Sequence, residues 1–170
     1  MRVGANYSHE VLQCHVLSIA VLGPGLPSWD VARSILGGEQ RYQRTEFEIP
    51  AVTWLPPTER RRVGKMVRLA LTVGNAAVLA AAIDASKVAT VFTSSSGDGD
   101  NCDAIFTTLA HNEKSERFIS PTRFHNSVHN APAGYWSIAN HCTLPSTSLC
   151  AYDASFAAGL VEACCQVMWT

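Results

Sequence analysis

Hydrophobic positions along the chain fall into short unbroken runs and longer stretches with a helical period. Residues 16–22 are an apolar run rich in branched side chains that ends in Gly23-Pro24-Gly25-Leu26-Pro27, which predicts a buried strand followed by a turn. Ser28 then caps a helix running to about residue 36, closed by Gly37-Gly38. Residues 39–57 are polar and proline-punctuated and read as a surface excursion. Pro57-Thr58-Glu59 opens a long helix in which Val63, Val67, Ala70, Leu71, Gly74, Ala77, Val78, Ala81 and Ala82 recur at three- and four-residue spacing. Its alanines and Gly74 imply close packing against a neighbour. A second buried strand is expected at 87–93, followed by a Ser/Gly/Asp-rich turn and a helix from about 102 to 111. Residues 112–120 form a loop. A helical stretch follows at 131–141, a third strand at 146–152, and a final helix at 154–168 with small residues on its inner face.

Strands alternating with helices predict an α/β fold with parallel pairing. Residues 1–14 have no clear period and read as a poorly ordered leader or a start-site artefact, leaving 15–170 as one domain. At 170 residues the chain is long enough for a single core, a domain of this size burying roughly 70% of its unfolded surface. A formal net charge of -1 gives no electrostatic footprint for nucleic acid or an anionic membrane. The basic run Arg60-Arg61-Arg62, with Lys65 and Arg68, reads as a solvated helix face. The most apolar stretch, 66–83, is interrupted by Arg68, Thr72, Gly74 and Asn75, so it is a core helix and not a membrane span. The start of the chain lacks an apolar run of signal-peptide length, and the expected location is the cytoplasm. The six cysteines read as small buried residues and free thiols.

Generic motifs yield little. Asp98-Gly99-Asp100-Asn101 offers carboxylates at alternate positions as a calcium loop does, but Leu109 stands where the bidentate Glu belongs and no Gly occupies the sixth place. An acidic helix N-terminus explains the run better. His125 and His129 are four residues apart, yet Pro121 and Pro132 bracket them and no third ligand follows at a set spacing, so no metal is expected. Nor is there a GxSxG, a phosphate-binding loop, or a GxGxxG after a strand, and no cofactor is implied.

The stretch 120–153 is more specific. It reads Ser120-Pro121, then Asn130-Ala131-Pro132-Ala133-Gly134-Tyr135-Trp136, then Leu144-Pro145, then a strand running to Asp153. This resembles the approach to the active site of β-ketoacyl synthases, where a Ser-Pro, an Asn-x-x-Ala-Gly helix start, a Gly-Pro and a strand ending in Ala-Cys follow at the same spacing. Residues 16–38 also resemble that family's opening strand, turn, Trp-containing helix and Gly. The resemblance implies a thiolase-like fold, of which this chain would be the N-terminal half of an αβαβα sandwich, a mixed sheet with flanking helices and without the C-terminal half.

Within that resemblance, Asp153 falls at the position of the acyl-accepting Cys, Leu144 replaces a Gly, and Phe156 stands where a glycine is usual. A strand-to-helix turn places its side chain at a helix N-terminus, where the dipole and free N–H groups stabilise a thiolate and provide an oxyanion hole. A carboxylate there would have to form a mixed anhydride, a far higher-energy acyl intermediate than a thioester. This argues against covalent condensation and leaves other enzymatic activity open. Two roles remain for Asp153: capping the following helix, or a charge that fills or excludes the acyl end. Cys150, read as part of the strand, cannot take the nucleophile's place.

The resemblance further implies a chain-length-factor-like protein of fatty acid, polyketide or aryl-polyene-type biosynthesis. It would form a heterodimer with an active ketosynthase, contact acyl carrier protein and help shape the pocket of the growing chain; a homodimer is the other way to cover an open sheet. Phe124, His125, Asn130, Tyr135, Trp136 and Phe156 fall where the family has its acyl tunnel or dimer interface, although Phe124, Tyr135 and Trp136 suit a core equally well. Two alternatives are a malonyl-carrier-protein decarboxylase and a stand-alone hydrolase using Asp153 as general base.

Overall fold

The computed structural model describes residues 13–111 and 113–169, so most of the expected leader lies outside the described residues. Seven helices and two strands are present among them: α1 (Trp29–Leu36), α2 (Pro57–Arg60), α3 (Lys65–Ala81), β1 (Thr90–Thr93), α4 (Gly99–Leu109), α5 (Pro121–His125), α6 (Ala131–Asn140), β2 (Ser146–Leu149) and α7 (Ser155–Trp169). β1 and β2 pair in parallel, with Thr90 opposite Ser146 and Thr93 opposite Leu149. Strand side chains alternate faces. Phe92 accordingly packs toward the α6 side of the sheet, where its ring lies 6.2 Å from that of Trp136, and Thr93 turns to the other side and meets Gly159 of α7. The sheet is thus sandwiched between α6 and α7, the α/β layering expected.

The core joins α3 to α6. Leu71 and Val67 from α3 meet Ala131, Tyr135 and Trp136 from α6, with Cys142 and Phe92 closing the cluster. Tyr135 and Trp136 are only 2% and 3% exposed. Gly74 is what lets the helices approach: a Cβ built there would stand 2.7 Å from Cζ3 of Trp136.

Several expectations from sequence are corrected. Residues 16–22 form no strand, and Val16 and Leu17 are 73% and 72% exposed. A strand exists only where another strand completes its ladder, and no described residue does so here; the segment is instead anchored by the Ser18 hydroxyl donating to the Ala77 carbonyl at 2.7 Å. The turn that follows does form, closed by reciprocal backbone bonds between Gly23 and Leu26. Gly25 takes φ +71 against the Gln43 carbonyl, where a side chain would collide.

The excursion at 39–57 is not all surface. Val52 and Leu55 are 0% and 1% exposed and belong to the core. Their turn is held by the Arg60 guanidinium, which donates to the carbonyls of Thr53 and Leu55 at 2.9 and 3.1 Å. Arg60 therefore serves a packing role and is not part of a purely solvated basic face.

The long helix expected from residue 57 is two helices. Between them, buried Asn126 satisfies the exposed main chain: its Nδ2 donates to the carbonyls of Arg62 and Thr122 at 2.7 and 2.8 Å, and its Oδ1 accepts from Gly64 N–H at 3.4 Å. Periodicity cannot reveal a break whose hydrogen-bond partner lies sixty residues away. The strands are also shorter than expected, since 85–87 and 152–154 are 3₁₀ turns. No helix among the described residues is long and apolar enough to cross a membrane.

Gly74→Ala should force Trp136 and α6 away from α3 and lower stability by about 1–3 kcal/mol, as overpacked cores do. Urea denaturation followed by tryptophan fluorescence measures this.

Candidate functional site

Parallel strands present their carboxyl ends on one side, which is where open α/β sheets hold ligands. Beyond Thr93 the chain runs through Ser94-Ser95-Ser96-Gly97-Asp98 into α4, and beyond Leu149 it runs through Cys150-Ala151-Tyr152-Asp153 into α7. The first of these loops is internally braced. Ser94 Oγ accepts from Gly97 N–H at 2.8 Å, Gly97 takes φ +66, and Asp98 Oδ1 caps α4 by accepting from Asn101 N–H at 3.1 Å. The acidic helix N-terminus expected at 98–101 is therefore present.

The second loop is organised by Ser155, the first residue of α7, which is buried. Its Oγ accepts from Ala151 N–H at 2.9 Å and faces the carbonyls of Tyr152 at 2.7 Å and Ser94 at 3.3 Å. One hydroxyl thus ties both loops together at the strand ends. Tyr152 adopts φ +50, a left-handed conformation that costs a non-glycine residue about 1–2 kcal/mol. Asp153 follows in the 3₁₀ turn and is exposed. Among the described residues its carboxylate has no hydrogen-bond or ion-pair partner, which corrects the expectation that it caps the helix. α7 begins two residues later, and the polar side chain at its threshold is the Ser155 hydroxyl.

Two cavities meet at these loops, sharing Thr93, Ser94 and Ser95. The smaller, about 350 Å³, is bordered by Tyr152, Asp153, Ser155 and Phe156. The larger, about 550 Å³, lies between the start of α3 (Met66, Val67 and Ala70), Phe92 and Leu149 of the sheet, and the connection from Asn126 to Pro132. Its walls are mostly apolar, with the serine loop and Asp98 at the polar rim. A third, shallow polar cleft of about 520 Å³ lies along the outer side of α6 and β2 and includes Asn130, Gly134, Ser146 and Ser148.

The residues singled out from sequence are only partly brought together. Asp153 and Phe156 share the smaller cavity. Asn130 lines the shallow cleft. His125 sits at the end of α5 with its ring edge-on to Tyr135, centroids 5.8 Å apart. Phe124 projects outward from the same helix, whereas Tyr135 and Trp136 are core residues and border none of these cavities. Burial raises the Tyr135 hydroxyl pKa, with Glu59 nearby adding to the effect. His129 lies on the walls of both the larger cavity and the cleft. No three His, Cys, Asp or Glu side chains among the described residues converge to hold a metal.

Sequence reasoning missed three contributors: the serine loop, the α3 face carrying Met66 and Ala70, and Ser155. A serine run directly after a strand was the available signal for the first. Cys150 was placed inside the strand, but β2 ends at Leu149, and Cys150 lies at the wall of the larger cavity, as does Cys102.

Residues 37–169 match the family described as β-ketoacyl synthase, N-terminal domain. The chain belongs to that family. Among solved structures it is similar to a chain of the complex of the ketosynthase ApeO with its chain length factor ApeC from Xenorhabdus doucetiae, with a TM-score of 0.64 and 26% sequence identity. The similarity covers 89% of this chain and 62% of that one, so this chain spans under two thirds of its structural relative. No curated protein matches the sequence.

Ser155→Ala should strand the Ala151 N–H and loosen both loops, costing about 1–3 kcal/mol in chemical denaturation. Asp153→Asn, at an exposed and unpartnered carboxylate, should change stability by less than about 0.5 kcal/mol.

Proposed function

We propose that this chain is a non-condensing, chain-length-factor-like protein that pairs with an active ketosynthase and contributes a wall of the pocket in which the acyl chain grows. The reading is carried by Asp153, which lies in the turn between β2 and α7, the place to which the resemblance assigns the family's acyl-accepting cysteine. Acyl transfer between thiols is nearly balanced in free energy, whereas transfer to a carboxylate gives an anhydride that water destroys. The Ser155 hydroxyl, two residues beyond Asp153, is buried and engaged with main-chain groups, which leaves it a structural role.

Three features support a paired, pocket-shaping role. One relative of known structure is a chain of a complex between a ketosynthase and its chain length factor. The larger cavity offers apolar walls from Met66, Phe92 and Leu149, suited to an alkyl or polyene chain. Phe156, Leu160, Val161 and Val167 leave an apolar face of α7 in solvent, the kind of surface that marks a protein interface. In this reading residues 15–170 act as one domain, in the cytoplasm, in fatty acid, polyketide or aryl-polyene-type synthesis. Acyl carrier protein delivers the chain to the pair, and a second copy of this chain is the alternative occupant of the open face. Phe124, His125 and Asn130 are assigned to the partner-facing rim, and Phe156 to the acyl end. Decarboxylation or hydrolysis draws less support, because the residues bordering the Asp153 cavity include no histidine to act as acid or base.

Co-expression with a ketosynthase and its carrier protein tests the reading. The chain should be inactive alone and co-purify with the ketosynthase. Ala70→Phe, which fills the larger cavity, should shift the products of the intact pair toward shorter chains, measured by mass spectrometry. An intact pair with unchanged products would refute the pocket-shaping role, and failure to pair with any ketosynthase would refute the partnership.

A further inference from the structure

The proposed function makes no use of a cysteine cluster at the far end of α7. Six cysteines are free, and two of them, Cys14 and Cys164, are brought side by side although 150 residues separate them. Cys14 Sγ lies 3.9 Å from the Cys164 carbonyl oxygen, to which its thiol donates, so the two residues are neighbours in space. Cys165 is close enough to act on Cys14 electrostatically, but as the next residue on a helix it points elsewhere. Cys14 is exposed and Cys164 half-buried, so a small reagent in solution reaches Cys14 first.

We propose that Cys14 and Cys164 form a reversible oxidation site, closing to a disulfide that fastens the segment at residues 13–22 to the second half of α7. The cluster does not suit a metal. Among the described residues no third His, Cys, Asp or Glu converges with these two. The Cys14 thiol is held above its ordinary pKa by Cys164, so the thiolate that starts an exchange is its minor form and exchange speeds up as pH rises. Two thiols on residues this close need only an acceptor for two electrons to close to a disulfide. A low-molecular-weight disulfide such as oxidised glutathione is that acceptor. The Cys14 thiolate attacks one sulfur of the small disulfide, breaking its S–S bond and releasing one small thiol. The Cys164 thiolate then attacks Cys14 Sγ and displaces the second small thiol. Two protein thiols are oxidised, one small disulfide is reduced to two thiols, and the two protons lost by the protein are taken up by the leaving thiolates.

The segment that would be fastened is weakly held in the reduced protein. Among the described residues it pairs with no strand, Val16 and Leu17 lie in solvent, and the Ser18 hydroxyl anchors it to α3 through the Ala77 carbonyl. A second covalent anchor would order it against both α3 and α7.

The test uses the full chain. The reduced protein is incubated with oxidised glutathione, remaining thiols are blocked, and the product is cleaved after glutamates, which releases peptides 11–39 and 163–170. The expected result is a cross-linked pair of these peptides, two hydrogen masses lighter than their sum and separated by reductant. The cross-link should be lost in Cys14→Ser and Cys164→Ser and kept in Cys165→Ser. The oxidised wild-type protein should melt at a higher temperature than the reduced one, with no such shift in Cys14→Ser. Glutathione remaining on Cys14 without closure would overturn the proposal, as would a cross-link that survives Cys164→Ser. Both serine variants are read beside circular dichroism of the reduced proteins, so loss of the cross-link is separated from loss of the fold.

Discussion

The approach of Trp136 to Gly74 is the contact on which the rest of the molecule depends. With no side chain at residue 74, the indole of α6 lies directly on the backbone of α3 and also reaches Phe92 of β1. Three elements distant in sequence are fixed by one ring. That placement sets where α6 begins, and so where the connection from Asn126 to Pro132 passes over the sheet to close the larger cavity. The α7 side repeats the device on a smaller scale, where Gly159 admits the Thr93 side chain against the helix. Close helix-on-sheet packing through glycine leaves the carboxyl ends of both strands free to build the site.

The loops around that site are held by buried polar side chains. Asn126 satisfies the main chain where α2 and α3 part, Asn101 donates to the Arg123 carbonyl at 2.9 Å, and Ser155 joins the two strand-end loops. Each leaves an unsatisfied buried group if removed, which is why such residues specify geometry more strongly than their net energy suggests. Asp153 stands outside this network. Its carboxylate can change without disturbing the scaffold, so the identity of this side chain is free to vary independently of the fold.

Local signals were legible in the sequence and distant ones were not. Ser28 and Gly37-Gly38 delimit α1 correctly because caps act within one turn, and the Ser28 hydroxyl does accept from Val31 N–H. The helix start after Asn130 and the position of both strands followed from spacing and from the resemblance to β-ketoacyl synthases. The broken helix at 61–64 was hidden because its cause is Asn126. The burial of Val52 and Leu55 was hidden because proline-rich polar sequence reads as surface unless the Arg60 contact is known. The run at 16–22 has strand composition, yet composition does not supply a pairing partner. At the site, the assignment of helix capping to Asp153 failed: Ser155, two residues on, is nearer the true helix start and reaches back to Ala151 N–H.

The proposal that this chain carries no acyl group can be decided in one experiment. The chain is mixed with a condensing ketosynthase and an acyl-loaded carrier protein, the reaction is quenched in acid, and the acyl group is located by peptide mass spectrometry. Acylation is expected on the ketosynthase cysteine alone, with every peptide of this chain at its unmodified mass. An acyl adduct on Asp153, Cys150 or any other side chain of this protein would contradict it.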